Sequence, residues 1–347
     1  MKTKSHHSLP HARPRRGDGV PECMNAAAVD RFGPPSALKL HELPVPTPQP
    51  HEVLIRVDTA GVGSWDASIR DGSWRKAGRT HFPLVPGTDG AGTVVAKGSR
   101  VRRFRRGDRV YGYEFGNPQG GFYAEFAVAN ANHIGRVPQN LGLDEAGAIA
   151  ATGLTALQGI TALRLRRGET VLIFGASGAV GTMAVQFAAQ RRVRVIATAT
   201  GAVAARLVRS LGASVVIDAR HESVAGTLRK AAPSGIDAVF ALAGGEELER
   251  CLDFVRSGGR VIHTNGIEPE PRSRKGFRVW GFDVVAEPKA FMKLNRALVG
   301  SRIRAPIAAS YPLAKAAQAH RRLDEGRVLG RIALRLGHRN AAEQGTR

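Results

Sequence analysis

The chain has 347 residues, 43% of them hydrophobic and 23% charged, a composition typical of a globular protein with about two domains of roughly 150 residues each. No run approaches the roughly 18 apolar residues of a membrane span, and two cysteines are too few for a disulfide framework or a four-cysteine zinc site. The formal net charge of +22 suits a nucleic-acid partner, but the arginines are spread along the chain, which favours a biased surface composition. The few cysteines and the lack of an apolar signal segment predict a cytoplasmic protein.

Residues 1–23 are basic, rich in breakers and without apolar periodicity, so we expect a disordered basic extension with Met24 as the natural start. From 24 to 135, short apolar runs alternate with Gly, Pro and Asp turns, which predicts a β-rich domain. The strands predicted there cover 25–30, 53–57, 93–96, 109–113 and 124–128.

After a long helix predicted over 144–163, strands alternate with helices, which indicates βαβ units and a parallel sheet. The strands are predicted at 170–174, 193–198, 215–218, 238–242, 261–264 and 277–285, and the helices between them at 179–190, 202–211, 223–231 and 246–256. Two further helices, 289–299 and 313–326, and a closing strand, 332–336, complete the pattern.

A glycine-rich turn follows the first of these strands and opens a helix. It has the form GxxGxxG, in the strand–turn–helix context in which backbone N–H groups and the positive helix N-terminus bind a pyrophosphate. Inside successive βαβ units this motif indicates a dinucleotide site. The residues expected to contact the cofactor here are Gly175, Ser177, Gly178, Ala179, Val180 and Gly181.

The end of the next strand bears on the choice of dinucleotide. An NAD site commonly has an acidic residue there for the ribose 2′-hydroxyl, and this chain has none. Thr198 and Thr200 leave room for a 2′-phosphate and can hydrogen-bond it, and Arg206 can pair with its charge. The sequence therefore favours NADPH over NADH, although Arg206 is equally well explained as a solvated helix residue.

At this point the sequence resembles the medium-chain dehydrogenase/reductase superfamily, in its zinc-independent quinone oxidoreductase (zeta-crystallin-like) branch. The resemblance spans about 24–337 and rests on the order and spacing of several segments. These are 52–57, 60–66, 82–92, 107–110, 120–125, 153–156, the glycine turn, 211–213 and 258–261.

The resemblance implies an α/β protein with a GroES-like β-barrel catalytic domain and a Rossmann doubly wound parallel-sheet cofactor domain. The expected catalytic domain covers 24–146 and is completed by 288–337. The cofactor domain covers 147–287, and 338–347 is a flexible tail. NAD(P)H is expected in the cleft between the domains. Members commonly form dimers through the last cofactor-domain strand, which implies a homodimer with 279–285 at its interface.

The zinc-dependent members of the superfamily place metal ligands where this chain has Gly63 and Thr88, and a third near Ala151. These residues supply no zinc donor, so we expect a metal-free enzyme. Without a metal to stabilise an alkoxide, hydride transfer is easiest to an acceptor with its own electron sink. The resemblance thus implies NADPH-dependent reduction of a quinone or another activated C=C or C=O bond.

By resemblance, Ser64, Trp65, Asp66 and Thr155 are the catalytic candidates that approach the cleft, although Asp66 is also well placed to cap the helix after the turn. Trp65 and Trp74 are candidates for stacking on a flat acceptor. On the cofactor side, the resemblance points to Leu242, to Asn265 near the nicotinamide amide, and to Arg331 for a phosphate contact.

Two other functions stay open at this stage. One is a nucleic-acid-binding protein that retains a nucleotide fold, supported by the charge and by the arginine run over 100–106, which more simply forms a solvated loop. The other is an enoyl reductase, which Trp74 disfavours because related enoyl-thioester reductases carry a tyrosine there. The missing ligands argue against a zinc alcohol dehydrogenase.

Overall fold

The computed structural model describes residues 19–73, 80–300 and 303–336, and it shows an α/β protein with two large sheets. Most of the predicted extension 1–23, the predicted tail 338–347 and Trp74 lie outside the described residues. The first strands and helices are β1 Cys23–Val29, β2 Leu38–Pro44, β3 Glu52–Val62, α1 Ser64–Asp71, β4 Asp89–Lys97, β5 Arg109–Tyr113, β6 Phe126–Asn130, β7 Ile134–Arg136 and α2 Leu143–Ala162. The middle of the chain contains β8 Thr170–Phe174, α3 Ala179–Ala189, β9 Arg194–Ala199, α4 Ala202–Ser210, β10 Val215–Asp218, α5 Val224–Ala231, β11 Ile236–Ala241 and α6 Glu246–Leu252. The last elements are β12 Val255–Thr264, β13 Arg278–Phe282, α7 Pro288–Val299, β14 Ile307–Pro312, α8 Ala316–Asp324 and β15 Arg331–Arg335.

The first large sheet is mostly antiparallel and has the order β14-β15-β3-β4-β5-β7, with β6 also paired to β3. Its long central strand β3 buries Val53, Ile55 and Val57 in the core. The last strand, β15, runs antiparallel to β3 and pairs Ile332 with Val62. The end of the chain therefore completes the sheet that its first third began.

The second sheet contains six parallel strands in the order β10-β9-β8-β11-β12-β13. Its strands are nearly continuous apolar runs because helices cover both faces. The strand order reverses between β8 and β11, and the carboxyl ends of parallel strands open a crevice at such a reversal. The glycine turn predicted to bind the cofactor leaves β8 at this point.

Helix α2 packs against both sheets and is rich in Ala and Gly. A Cβ at Gly147 would lie 2.5 Å from the carbonyl oxygen of Thr59 on β3, and one at Gly159 would clash with the ring of Phe240 on β11. The small residues let the helix approach both strands closely. Among the described residues, no helix is long and apolar enough to span a membrane.

The predicted elements differ from the observed ones mainly where tertiary contacts decide the boundary. The helix predicted over 246–256 ends at Leu252, because Phe254 and Val255 join the parallel sheet, where the Phe254 carbonyl accepts the N–H of Ile236. Strands β2, β7 and β14 were not predicted, because each is short or half-exposed and depends on its partner strand.

Candidate active site

The glycine turn after β8 has the geometry of an anion cradle. Gly175 adopts a left-handed φ of 85°, and Gly178 precedes the first turn of α3 without a side-chain cap. A Cβ at Gly181 would lie 2.6 Å from the Cα of Ala176, so the helix begins hard against the turn. The N–H groups of Ala179, Val180 and Gly181 therefore point outward from an uncapped helix N-terminus, which suits a pyrophosphate.

At the end of β9, the two predicted threonines are placed differently. Thr198 is buried, and its Oγ1 accepts a hydrogen bond from the N–H of Gly175 at 2.8 Å, so this side chain braces the glycine turn. Thr200 is exposed, as is Arg206 on α4. Both remain available to a ligand at the N-terminus of α4.

Sequence reasoning did not single out Arg220, which follows β10. A Cβ on Gly201 would lie 3.6 Å from the guanidinium carbon of Arg220. The carboxylate of Asp218 accepts the backbone N–H groups of Gly201 at 2.7 Å and Arg220 at 3.0 Å, which lowers its pKa and fixes the loop. Arg220 is therefore a second cation beside the turn in which a 2′-phosphate is expected.

The C-terminal strand reaches this crevice directly. The N–H of Gly330 donates to the carbonyl of Ser177 in the glycine turn at 3.0 Å, and the next residue, Arg331, enters the first sheet. The Arg331 side chain is only 10% exposed, and its Nη2 lies 2.5 Å from Oδ1 of the fully buried Asp89. The predicted phosphate ligand thus forms a buried ion pair next to the phosphate turn.

Asp66 lies on the other side of this ion pair. It is fully buried on α1, where its Oδ2 accepts the N–H of Gly63 and its Oδ1 accepts the N–H of Thr88, both at 2.8 Å. The capping role considered for Asp66 is therefore observed, because the bond to Gly63 satisfies a free N–H at the start of the helix. Burial raises the pKa of the Asp66 carboxyl to about 6 and the charge of Asp89 adds to this, while Arg331 opposes it.

The three positions aligned with zinc ligands converge on these charged groups. Asp66 holds the backbones of Gly63 and Thr88, and Asp89 accepts the N–H of Ala151 at 3.1 Å. Across the described ranges, no cluster of three or more His, Cys, Asp or Glu side chains is arranged to hold a metal ion. The guanidinium of Arg331 is the cation at this point of convergence.

A buried hydrogen-bond chain runs from Asp66 towards the surface. Arg70 Nη1 lies 3.1 Å from His320 Nδ1, and His320 Nε2 lies 3.1 Å from the Tyr123 hydroxyl, which bonds to Asp66. A guanidinium can only donate, so His320 accepts at Nδ1, donates from Nε2 to Tyr123, and leaves the tyrosine hydroxyl to donate to Asp66. At the outer end, Arg70 forms an ion pair with Asp324 at 3.2 Å.

Aromatic side chains line the cleft beside these groups. Trp65 packs edge-to-face on Phe115, with ring centroids 5.8 Å apart, and Tyr113 lies next to Phe115. On the side of the parallel sheet, a Cβ at Gly266 would lie 3.2 Å from the indole of Trp65. Trp65 therefore bridges the two sheets' edges at the mouth of the cleft.

The remaining candidates are dispersed around this cleft. Ser64 is exposed at the start of α1, and the Thr155 hydroxyl donates to the Ala151 carbonyl at 2.8 Å within α2. Leu242 follows β11 beside Gly175, and Asn265 follows β12, where its N–H donates to the Phe282 carbonyl at 3.2 Å. Each lies at the carboxyl end of a parallel strand or on the helix that faces it.

The arginine run over 100–106 forms the loop between β4 and β5, and its arginines are exposed, as expected for a solvated loop. Arg103 and Arg136 stack on the ring of Phe104, with centroid distances of 5.1 and 5.5 Å. Asp108 pairs with Arg136 at 2.7 Å and with Arg105 at 3.7 Å. Part of the charge in this loop is thus neutralised locally.

Two family models match the chain. Residues 49–139 match an alcohol dehydrogenase GroES-like domain, and residues 211–334 match a zinc-binding dehydrogenase domain. The quinone oxidoreductase of Lama guanicoe is 32% identical over 327 residues, covering 90% of this chain and 98% of that protein.

Solved structures give the same result. The quinone oxidoreductase from Coxiella burnetii superposes with a TM-score of 0.82 at 28% identity, covering 91% of this chain and all of that one. A mycobacterial protein whose structure is described as complexed with NADPH superposes with a TM-score of 0.79 at 28% identity, covering 90% and 100% of the two chains.

Proposed function

This chain belongs to the medium-chain dehydrogenase/reductase superfamily, and on that premise we propose that it is a zinc-independent, NADPH-dependent oxidoreductase that transfers hydride to a quinone or another activated C=C or C=O bond. The observation that carries the proposal is the uncapped glycine turn at the strand-order reversal, with Gly330 closing on it from the first sheet. Its relatives named as quinone oxidoreductases support an oxidoreductase of this kind.

The residues fit a dinucleotide along the carboxyl edge of the parallel sheet. The glycine turn offers N–H groups to the pyrophosphate, and the left-handed Gly175 leaves no side chain in the way. We assign the cofactor to Gly175, Ser177, Gly178, Ala179, Val180, Gly181, Thr198, Thr200, Arg206, Leu242 and Asn265. When bound, the reduced nicotinamide supplies the hydride.

Two observations support the choice of NADPH over NADH. The end of β9 carries no carboxylate side chain, and Asp218, the nearest acidic group, is already bonded to two backbone N–H groups. Arg220 and Arg206 lie on elements that flank the same turn and supply positive charge for a 2′-phosphate.

The donor set supports a reaction without zinc. Gly63, Thr88 and Ala151 offer no thiolate, imidazole or carboxylate, and the cation at their centre is a guanidinium. In this proposal Trp65 covers the acceptor, Ser64 and Thr155 line its pocket, and Asp66 holds the two backbone segments that shape it. These groups orient the acceptor and exclude water.

We also propose a cytoplasmic homodimer joined along β13. This strand is the outer one of the parallel sheet in the described part of the chain, and Val285 just beyond it is 54% exposed. An unpaired strand edge with an exposed apolar residue is suited to pairing with a second copy.

The experiment is a fluorescence titration of the purified protein with NADPH and with NADH, followed by a panel of quinones monitored at 340 nm. We expect tighter binding of NADPH, oxidation by at least one quinone, and a rate unchanged by a zinc chelator. Binding of neither cofactor, or loss of activity on chelation, would contradict the proposal. Light scattering of the same sample measures the dimer.

A further inference from the structure

The Arg331 guanidinium is held in place along one edge only. Its Nη2 donates to Oδ1 of Asp89 at 2.5 Å, and the other oxygen of Asp89 is held by the N–H of Ala151. Both side chains are buried, so the pair cannot exchange freely with water. A guanidinium has five N–H donors, and this contact uses one of them.

The other donors face space that two glycines leave open. A Cβ at Gly61 would lie 2.7 Å from Nη2 and 2.8 Å from Nε, and a Cβ at Gly63 would overlap Nη1. Nε is buried and has no hydrogen-bond partner among the residues the structure describes. A buried N–H without a partner costs about 1–3 kcal/mol, so this arrangement indicates an oxygen ligand.

The surrounding charges select the kind of oxygen. The carboxylates of Asp66 and Asp89 and the hydroxyls of Tyr113 and Tyr123 all interact with Arg331. Two carboxylates against one guanidinium disfavour a ligand with a permanent negative charge, such as a phosphate. A neutral carbonyl oxygen, which gains charge only during the reaction, meets N–H donors without that repulsion.

We propose that Arg331 is a catalytic residue of the reaction inferred above, donating hydrogen bonds to the acceptor's carbonyl oxygen as charge develops there. The inference rests on the proposed function. The C4–H bond of the reduced nicotinamide breaks with its electron pair, which forms the new bond to hydrogen on the acceptor. The acceptor is reduced, its oxygen becomes an oxyanion held by Arg331, and that oxygen takes a proton from water. Arg331 stays protonated throughout, because its guanidinium titrates far above neutral pH.

The test compares Arg331→Met with Arg331→Lys and with Arg335→Met, an exposed arginine on the same strand. We expect Arg331→Met to lower kcat with a quinone about a hundredfold, the typical cost of losing an oxyanion donor, while the Kd of NADPH measured by fluorescence stays within threefold. Arg331→Lys should recover part of the rate, and Arg335→Met should match the wild type. A second readout is binding of 4-nitrophenolate in the presence of NADP⁺, which should weaken at least tenfold in Arg331→Met.

Arg331→Met leaves Asp89 unpaired, so a second variant keeps the test valid if it does not fold. Gly63→Ala retains the charge, and φ of −146° at this position accepts alanine, but the new methyl displaces Nη1. We expect it to lower kcat without changing NADPH affinity. Loss of NADPH binding with kcat preserved at saturation would overturn the inference and return Arg331 to the phosphate. A wild type that binds neither cofactor would instead refute the proposed function itself.

Discussion

The pH dependence of stability should reveal the buried histidine at the centre of the Arg70–His320–Tyr123–Asp66 chain. His320 is fully buried, and burial together with the neighbouring Arg70 charge lowers its pKa from 6.5 to about 3. The folded state therefore binds fewer protons than the unfolded state between these values, and stability falls as pH drops below 6.5. At about 1.4 kcal/mol per pH unit, the loss attributable to His320 between pH 6.5 and pH 5 is about 2 kcal/mol.

The assay is urea unfolding of the wild type and His320→Gln at several pH values from 5 to 7.5. Glutamine can accept from Arg70 and donate to Tyr123 but does not titrate, so the difference between the two proteins isolates the histidine. Asp66, whose raised pKa makes stability fall with rising pH between about 4 and 6, contributes to both and cancels. Replacing the exposed His221 by glutamine is the control. Equal pH slopes for the wild type and His320→Gln would refute the protonation pattern derived from the geometry.

Two further predictions concern the cofactor site. Gly181→Ala places a methyl 2.6 Å from the Cα of Ala176, so we expect the turn to shift and NADPH affinity to fall at least tenfold, measured by fluorescence titration; unchanged affinity would exclude a cofactor over this turn. Arg220→Ala should weaken NADPH about tenfold and leave NADH binding unchanged, an effect larger than that of Arg206→Ala, because the Arg220 guanidinium lies against Gly201. Equal losses for both cofactors would show that Arg220 does not contact a 2′-phosphate.

Local patterns predicted most of the elements because the forces that define them act over a few residues. Strand–helix alternation after 144 predicted the parallel sheet, and the observed bounds of β8, α3 and β10 agree with it closely. The glycine turn was also recognisable, because its conformation depends on missing side chains at fixed spacing. The short edge strands and the end of α6 were missed, because partners distant in sequence decide them.

The sequence by itself determined the fold class, the glycine turn and the absence of metal donors at Gly63, Thr88 and Ala151, since these depend on residue type and local order. Only the tertiary structure paired Arg331 with Asp89, 242 positions apart, and His320 with Arg70, 250 positions apart. Such pairs leave no periodic signal, and each side chain alone is consistent with a solvated surface residue. Burial makes their charges and N–H groups significant, because a buried polar group must find a partner or cost free energy, and burial is a property of the folded chain.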